Sequence, residues 1–233
     1  VRSLLPERLR GPVQTDWRFI PSAALGGDAF DYQWLDDDHL AICLLDVCGH
    51  GVGSALLSIS AINTLRSQTL PNTEFRDPSQ VLEGLNRAFP MERQNSMFFT
   101  MWYGVYNAKK HSLIYAGGGH PPGLLVPRGV SNDGTIRQLD SEGPMIGIDD
   151  TAEFPSETVE VGSHDQLLVY SDGVFEVRKG PDGEMWTLNE FIEWFNSQPP
   201  GEESRMDALI QYTRQLQGGD EYLDDFSIVE INF

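Results

Sequence analysis

Aspartates stand where apolar runs end at four places in this chain. Asp28 closes Gly26-Gly27-Asp28 between two strand-like runs, Asp46 ends HLAICLLD, Asp172 ends QLLVYSD, and Asp224 with Asp225 opens DDFSIVEINF. A carboxylate at the end of a buried strand is costly unless ionic partners offset its desolvation. Taken singly, each place also reads as a turn: Asp172-Gly173 is a common turn pair, and Gly26 to Asp28 can join two strands. The set changes the reading, because acids converging at one edge of a sheet sandwich would repel one another and demand cations. Oxygen-only ligands select Mg2+ or Mn2+ over zinc, and a paired-ion centre polarises a phosphate and generates hydroxide near neutral pH. The runs Asp36 to Asp38 and Asp149 to Asp150 lack this placement and read as solvated loop acids.

Other chemistries find less support. The arginine that a cysteine phosphatase needs shortly after its nucleophile is missing, with Gly49 and Ser54 at the corresponding positions after Cys43 and Cys48. The odd separation of those cysteines puts them on opposite faces of a continuous strand, and neither a disulfide framework nor a zinc site is indicated. GHGVGSA has the glycines of a phosphate loop but no following Lys and Ser or Thr. Gly117 to Pro122 reads as a rigid strand connection ahead of a catalytic loop, and Arg18 as a surface strand residue ahead of a phosphate clamp. His50, at the start of a helical pattern, admits two readings, a cap that packs and a group that polarises substrate phosphate.

The elements that must position these residues follow from periodicity. Strands are expected near 16–24, 30–35, 39–47, 97–107, 111–116, 122–127, 157–161, 166–171 and 225–232. Helices are expected over 52–68, over 77–89 with Asp77 as N-cap and Pro78 following, and near 187–196 and 203–216. Long runs of strands with helices segregated between them predict an α+β fold, two antiparallel sheets packed as a sandwich with helices outside. Surface loops are expected at 128–134 and 197–204, and a helix end over Val1 to Leu9, stopped by Pro6 or by Gly11 and Pro12. With 233 residues, 40% of them hydrophobic, one domain with a sizeable core is expected. Against 16 basic residues stand 35 acidic ones, a net charge of −19 that disfavours nucleic acid and anionic membranes as partners. The absence of a long apolar run or leader pattern makes cytoplasmic the expected location.

Six segments then occur in order: GGDAFDY at 26–32, LLDVCGHGVGSALL at 44–57, FFTMWYGVYN at 98–107, YAGGGHPPGLLV at 115–126, LLVYSDGVFEVR at 167–178 and DDFSIVEI at 224–231. Together they resemble the bacterial, SpoIIE/RsbU-like branch of the PPM (type 2C) metal-dependent serine/threonine phosphatases. The resemblance implies two Mn2+ or Mg2+ ions bridged by a hydroxide that attacks phosphorus. By motif position, Asp46 would bridge both ions, the Val47 carbonyl would serve one, Asp172 and Asp224 would bind the other, Asp28 would hold metal-bound water, and Asp225 is a neighbouring candidate ligand. Cys48 stands where this branch commonly has a non-thiol residue, and it also occupies the position of the histidine that eukaryotic relatives offer as leaving-group acid, so the motif assigns no general acid here.

The implied substrate is a phosphorylated partner protein, a STAS-type anti-sigma-factor antagonist. The implied organisation is residues 1–12 as an entry helix or linker from an upstream sensor or receiver domain, residues 13–233 as the phosphatase domain, and a homodimer as a further candidate partner. The rival readings are a catalytically weak phosphatase-fold module that sequesters a partner, which loss of metal aspartates would favour, and a phosphatase of small phosphoesters.

Overall fold

The computed structural model describes residues 5–22, 26–128, 135–180, 183–198 and 204–233. Among the described residues, ten strands form two five-stranded antiparallel sheets. The first sheet orders β1 (Gln14–Ile20), β10 (Phe226–Asn232), β9 (Gln166–Tyr170), β6 (Gly123–Val126) and β7 (Arg137–Leu139). The second orders β2 (Ala29–Trp34), β3 (His39–Val47), β4 (Phe99–Asn107), β5 (Ser112–Gly118) and β8 (Glu157–Glu160).

Period-two alternation sorts each strand between two cores. On β3, Leu40, Ile42 and Leu44 enter the gap between the sheets, where Phe30, Trp102 and Val229 also pack. Ala41, Cys43, Leu45 and Val47 face the other way, onto α1 (Val52–Arg66) and α2 (Pro78–Ala88). The outer face of the first sheet is covered by α3 (Leu188–Ser197) and α4 (Arg205–Gln217), with Tyr170, Phe191, Phe195 and Leu209 buried between. The result is the expected sandwich, helices outside and sheets inside. Local chemistry starts the helices where the sequence pointed: Asp77 accepts from the Ser79 amide at 3.1 Å with Pro78 following, and Thr187 with Glu190 forms a reciprocal capping box.

The differences have physical causes. β7 was not expected, since its three residues carry one apolar side chain, Leu139, and pairing with β6 alone makes it a strand. β5 runs on through Gly117 and Gly118, glycines that the sequence offers as a break; a Cβ on Gly117 would stand 2.0 Å from the Ser141 hydroxyl, so close packing explains the residue. β1 begins and ends earlier than the expected 16–24, of which residues 23 and 24 lie outside the described residues, as do most of the loops expected at 128–134 and 197–204. The entry segment is irregular from Leu5 to Pro12, so a helix extending to Gly11 is not present there; one stopped by Pro6 would fall on residues 1–4, outside the described residues. Leu5 and Leu9 pack against the intersheet core, and the Pro6 and Glu7 carbonyls accept from the Trp17 indole and the Tyr32 hydroxyl. Among the described residues, no helix is long and apolar enough to cross a membrane.

Leu44 is fully buried in the middle of a central strand whereas Leu56, on α1, is 62% exposed. Leu44→Ala should therefore cost about 2–5 kcal/mol of stability and Leu56→Ala within about 0.5 kcal/mol of nothing. Urea denaturation of both variants reads this directly, and similar midpoints would contradict the layer assignment.

Candidate metal centre

The same alternation that fills the intersheet gap delivers acids to one end of it. Asp46 continues the inward series Leu40, Ile42, Leu44 by one step, and Asp28 precedes the inward pair Phe30 and Tyr32 of β2. On the opposite sheet, Val229 and Ile231 extend back through buried Ser227 to Asp225, and Leu167 and Val169 run on to buried Ser171. Asp172 opens a 3-10 turn, Asp172–Val174, directly after β9. Two strand ends from each sheet thus converge, one from each of the four places where the sequence put an aspartate.

Electrostatics records how closely they converge. Burial pushes the Asp28 carboxyl well above its ordinary range, and the charges of Asp46 and Asp225 push further. Both Asp28 side-chain oxygens are buried without a hydrogen-bond partner. Asp46 rises to about 8 through burial, then through Asp172 and Asp224. Asp172 rises to about 6 through burial, then Asp224 and Glu176. Asp224 also rises, by burial and by Asp225, and the nearby His50 opposes the rise. The loop acids behave in the opposite way: the Asp38 amide and the His39 ring lower Asp36, and the Thr151 hydroxyl and amide lower Asp149. Four carboxylates raised above their ordinary range first by burial and then by neighbouring carboxylates, with no Lys or Arg among the described residues to offset them, form a site that wants cations.

The donor set fits divalent ions of the Mg2+ or Mn2+ type: carboxylate and carbonyl oxygens, no thiol, no imidazole, and two orphaned oxygens on Asp28. Among the described residues, no three such side chains already stand at ligating distance of a common point. Backbone approaches shape the same place. A Cβ on Gly27 would lie 2.5 Å from the Val47 carbonyl oxygen, and one on Gly26 1.8 Å from Asp225 Oδ2. The two glycines of GGD are there so that this loop can press onto the Val47 carbonyl and the Asp225 carboxylate.

Asp225 has a different situation from its neighbours. Its Oδ1 accepts from the Ser22 amide at 2.8 Å and the Ser22 hydroxyl at 3.0 Å, and its Oδ2 from the Asp28 amide at 3.3 Å. It ties the last strand to the loop that carries Asp28. Ser22 was missed in the sequence, as were Ser171 and Ser227, which join the two strand ends through the Ser171 hydroxyl, a donor to the Asp225 carbonyl at 3.0 Å and an acceptor from the Ser227 amide at 3.2 Å. For Ser171 and Ser227 the signal available was a hydroxyl replacing an apolar residue in an inward series; Ser22, beyond β1, gave none.

The remaining candidates separate cleanly. Cys48 Sγ accepts from the Phe98 amide at 3.3 Å, and its own amide donates to the Phe98 carbonyl at 3.0 Å, so it staples the loop after Asp46 to the start of β4. His50 is exposed and does not cap α1, whose N-cap is Gly51 with no side-chain bond. His120 is buried in the β5–β6 connection with Nδ1 2.8 Å from the Thr100 hydroxyl, and burial takes it down to about 3, a neutral packing residue. Arg18 forks onto Asp207 at 2.6 and 2.7 Å and is no phosphate clamp.

Comparison with known proteins gives consistent relatives. Residues 36–233 match the family described as stage II sporulation protein E (SpoIIE). The chain is 30% identical over 209 residues to the phosphoserine phosphatase RsbU of Bacillus subtilis, covering 90% of this chain and 58% of that protein. It is 29% identical over 178 residues to the phosphoserine phosphatase RsbP of the same organism, covering 75% and 42%. The chain thus spans only about half the length of these relatives. In structure it resembles the PP2C phosphatase domain of Bacillus subtilis SpoIIE with a TM-score of 0.78 at 17% identity, over 98% of this chain and 64% of that one.

Protons held by Asp46 and Asp172 in the folded chain at pH values where the unfolded chain has lost them make the metal-free protein a stability-versus-pH reporter. Their folded pKa values are raised, so their contribution is fully present below about pH 4 and is lost as pH rises through about 6 and about 8. In chelator, melting temperature should fall between about pH 5 and about pH 8.5, and Asp46→Asn should recover part of the loss, at about 2–4 °C per kcal/mol relieved. A melting temperature that rises over this interval would mean the acids do not share a site.

Proposed function

This chain belongs to the stage II sporulation protein E (SpoIIE) family, and from that premise we propose that it is a divalent-metal-dependent protein phosphatase domain that hydrolyses phosphoserine or phosphothreonine on a partner protein. The observation that carries the reading is the gathering of Asp28, Asp46, Asp172 and Asp224 at one end of the sandwich, each carboxyl raised by burial and by a neighbouring carboxylate. A partner-sequestering module has no use for buried, unpaired carboxylates, whose desolvation lowers stability.

We assign Asp46 and the Val47 carbonyl to one ion, Asp46 with Asp172 and Asp224 to the other, and Asp28 to holding water against them. Bound ions would supply an ionised water at neutral pH and neutralise the phosphate's charge. The chain's own residues set the stage for that. Asp28, 2% exposed with both oxygens unpaired, can accept from a water and orient it. The Asp225 carboxylate, occupied by Ser22 and Asp28 amides, keeps the Asp28 loop in place and acts as its anchor in preference to a ligand. We take His50, exposed and near enough to oppose the rise at Asp224, as the candidate to meet the substrate phosphate. The finer parts of the proposal are a phosphorylated STAS-type protein as substrate, an upstream sensor or receiver domain acting on this one, and Mn2+ or Mg2+ as the ions.

Phosphate release from a phosphorylated STAS protein should disappear in chelator and return with Mn2+ or Mg2+. Asp46→Asn should lower turnover by more than about a hundredfold, the scale of losing one charge-stabilising group in an active site, while Asp36→Asn leaves it intact. Full activity without metal would defeat the proposal; equal effects of the two substitutions would move the centre elsewhere.

Cys48 serves this site as a staple through its backbone and a weak sulfur acceptor, and a hydroxyl can take the same amide. Cys48→Ser should keep turnover within about fivefold, since one neutral hydrogen bond is worth about 1 kcal/mol or less of difference. A folded, metal-binding but inactive Cys48→Ser enzyme would point to thiol chemistry instead.

A further inference from the structure

Of Ser22, Ser171 and Ser227, which stand at the acid-bearing end of the intersheet gap, two have committed their hydroxyl protons. The Ser22 hydroxyl donates to Asp225 Oδ1 at 3.0 Å. The Ser171 hydroxyl donates to the Asp225 carbonyl at 3.0 Å and accepts from the Ser227 amide at 3.2 Å. Ser227 differs: it is fully buried, and its Oγ has no hydrogen-bond partner. Asp28 is its complement, 2% exposed with both carboxylate oxygens unpartnered. A buried donor without an acceptor and a buried acceptor without a donor each cost free energy, and each is what the other lacks.

The two meet from opposite sheets. Ser227 begins the inward series that Val229 and Ile231 continue, while Phe226 and Ile228 point to the outer helices. Asp28 enters the gap ahead of inward Phe30, and its amide donates to Asp225 Oδ2 at 3.3 Å, two residues from Ser227. Burial and the neighbouring acids raise the Asp28 carboxyl, and the hydroxyls of Ser227 and Ser171 are near enough to oppose that rise, although neither meets hydrogen-bond geometry to it. Since the Ser171 proton already lies on the Asp225 carbonyl, Ser227 is the one of this pair with a proton to give. Its backbone is fixed by Ser171 on both sides, its carbonyl accepting from the Ser171 amide at 3.0 Å and its amide donating to the Ser171 hydroxyl. We propose that Ser227 is a positioning residue of the metal centre: its hydroxyl donates to one oxygen of Asp28 and leaves the other to accept from the water assigned to that acid. The inference rests on the metal-centre reading above and adds to it a side chain that touches no ion. The last torsion of an aspartate is broad, so a hydrogen bond to one oxygen sets the plane of the carboxylate, and a charged acceptor makes that bond a strong one.

The test uses the whole chain with Mn2+ as the probe, its binding followed by calorimetry and by the Mn2+ paramagnetic resonance signal, beside thermal unfolding in chelator. Ser227→Ala removes one hydroxyl and should weaken Mn2+ binding about tenfold, the effect of losing an outer-shell support. Ser227→Thr keeps the hydroxyl and should recover most of that affinity. In an Asp28→Ala background, Ser227→Ala should cause no further loss, because the two residues act as one unit. Thr15→Val is the control: Thr15 is a buried hydroxyl at the far end of the same sheet, accepting from the Leu9 amide at 2.8 Å. It should lower the melting temperature and leave Mn2+ binding unchanged. Mn2+ affinity in Ser227→Ala equal to that of the unaltered chain would overturn the positioning role while leaving the centre standing. So would a further tenfold loss in the Asp28→Ala background, or a folded Ser227→Thr that binds as poorly as Ser227→Ala. If Ser227→Thr does not fold, the double variant decides. An unaltered chain that binds no Mn2+ would overturn both readings.

Discussion

Taking a carboxylate out of water beside other carboxylates raises its free energy twice, once through lost hydration and once through repulsion. Asp28, Asp46, Asp172 and Asp224 are held in that condition at one end of the intersheet gap. The apolar packing of three layers of core has to hold the strand ends together against it. The cost is tolerable because it is local: a few residues further along the same strands, Leu44, Val169 and Val229 are fully or almost fully buried among apolar neighbours. A divalent cation would turn the repulsion into attraction, which links folding and function through the same groups.

The site is shaped as much by backbone as by side chains. Gly26 and Gly27 allow a loop to lie within contact distance of the Asp225 carboxylate and the Val47 carbonyl, an approach any Cβ would block. Asp225 satisfies amides that this close approach would otherwise leave buried. Its acid therefore has a structural reason to exist, and the neighbouring Asp224, more exposed and acting on Asp46 and Asp172, has an electrostatic one. Two adjacent aspartates with the same chemistry acquire separate work at the entry to β10.

The net charge of −19 belongs to the same physics. Any phosphorylated group would meet a surface that repels it, so attraction would have to be supplied at the site itself. Among the described residues, His50 opposes the rise at Asp224. Elsewhere arginines are spent on structure: Arg18 on Asp207, Arg66 on Asp31, Arg76 on Glu74.

The positions of the acids were legible in the sequence because each ends an apolar run, and period-two alternation then decides which side of a sheet it faces. The same patterning, with Asp77-Pro78 and the strand-rich order, was enough for the sandwich and its outer helices. Alternation does not say which strand ends meet, however. Only the packing of the two sheets on their shared core decided that residues as distant in the chain as Asp28 and Asp225 share one site. Tertiary structure also separated Asp225 the anchor from Asp224, showed Ser22, Ser171 and Ser227 as parts of the site, and made a strand of Arg137–Leu139. It joined Arg66 to Asp31 across 35 residues. Local sequence fixes what a residue prefers to do with its neighbours in the chain; long-range pairing and burial decide which charges must face one another, and that is where this protein's chemistry lies.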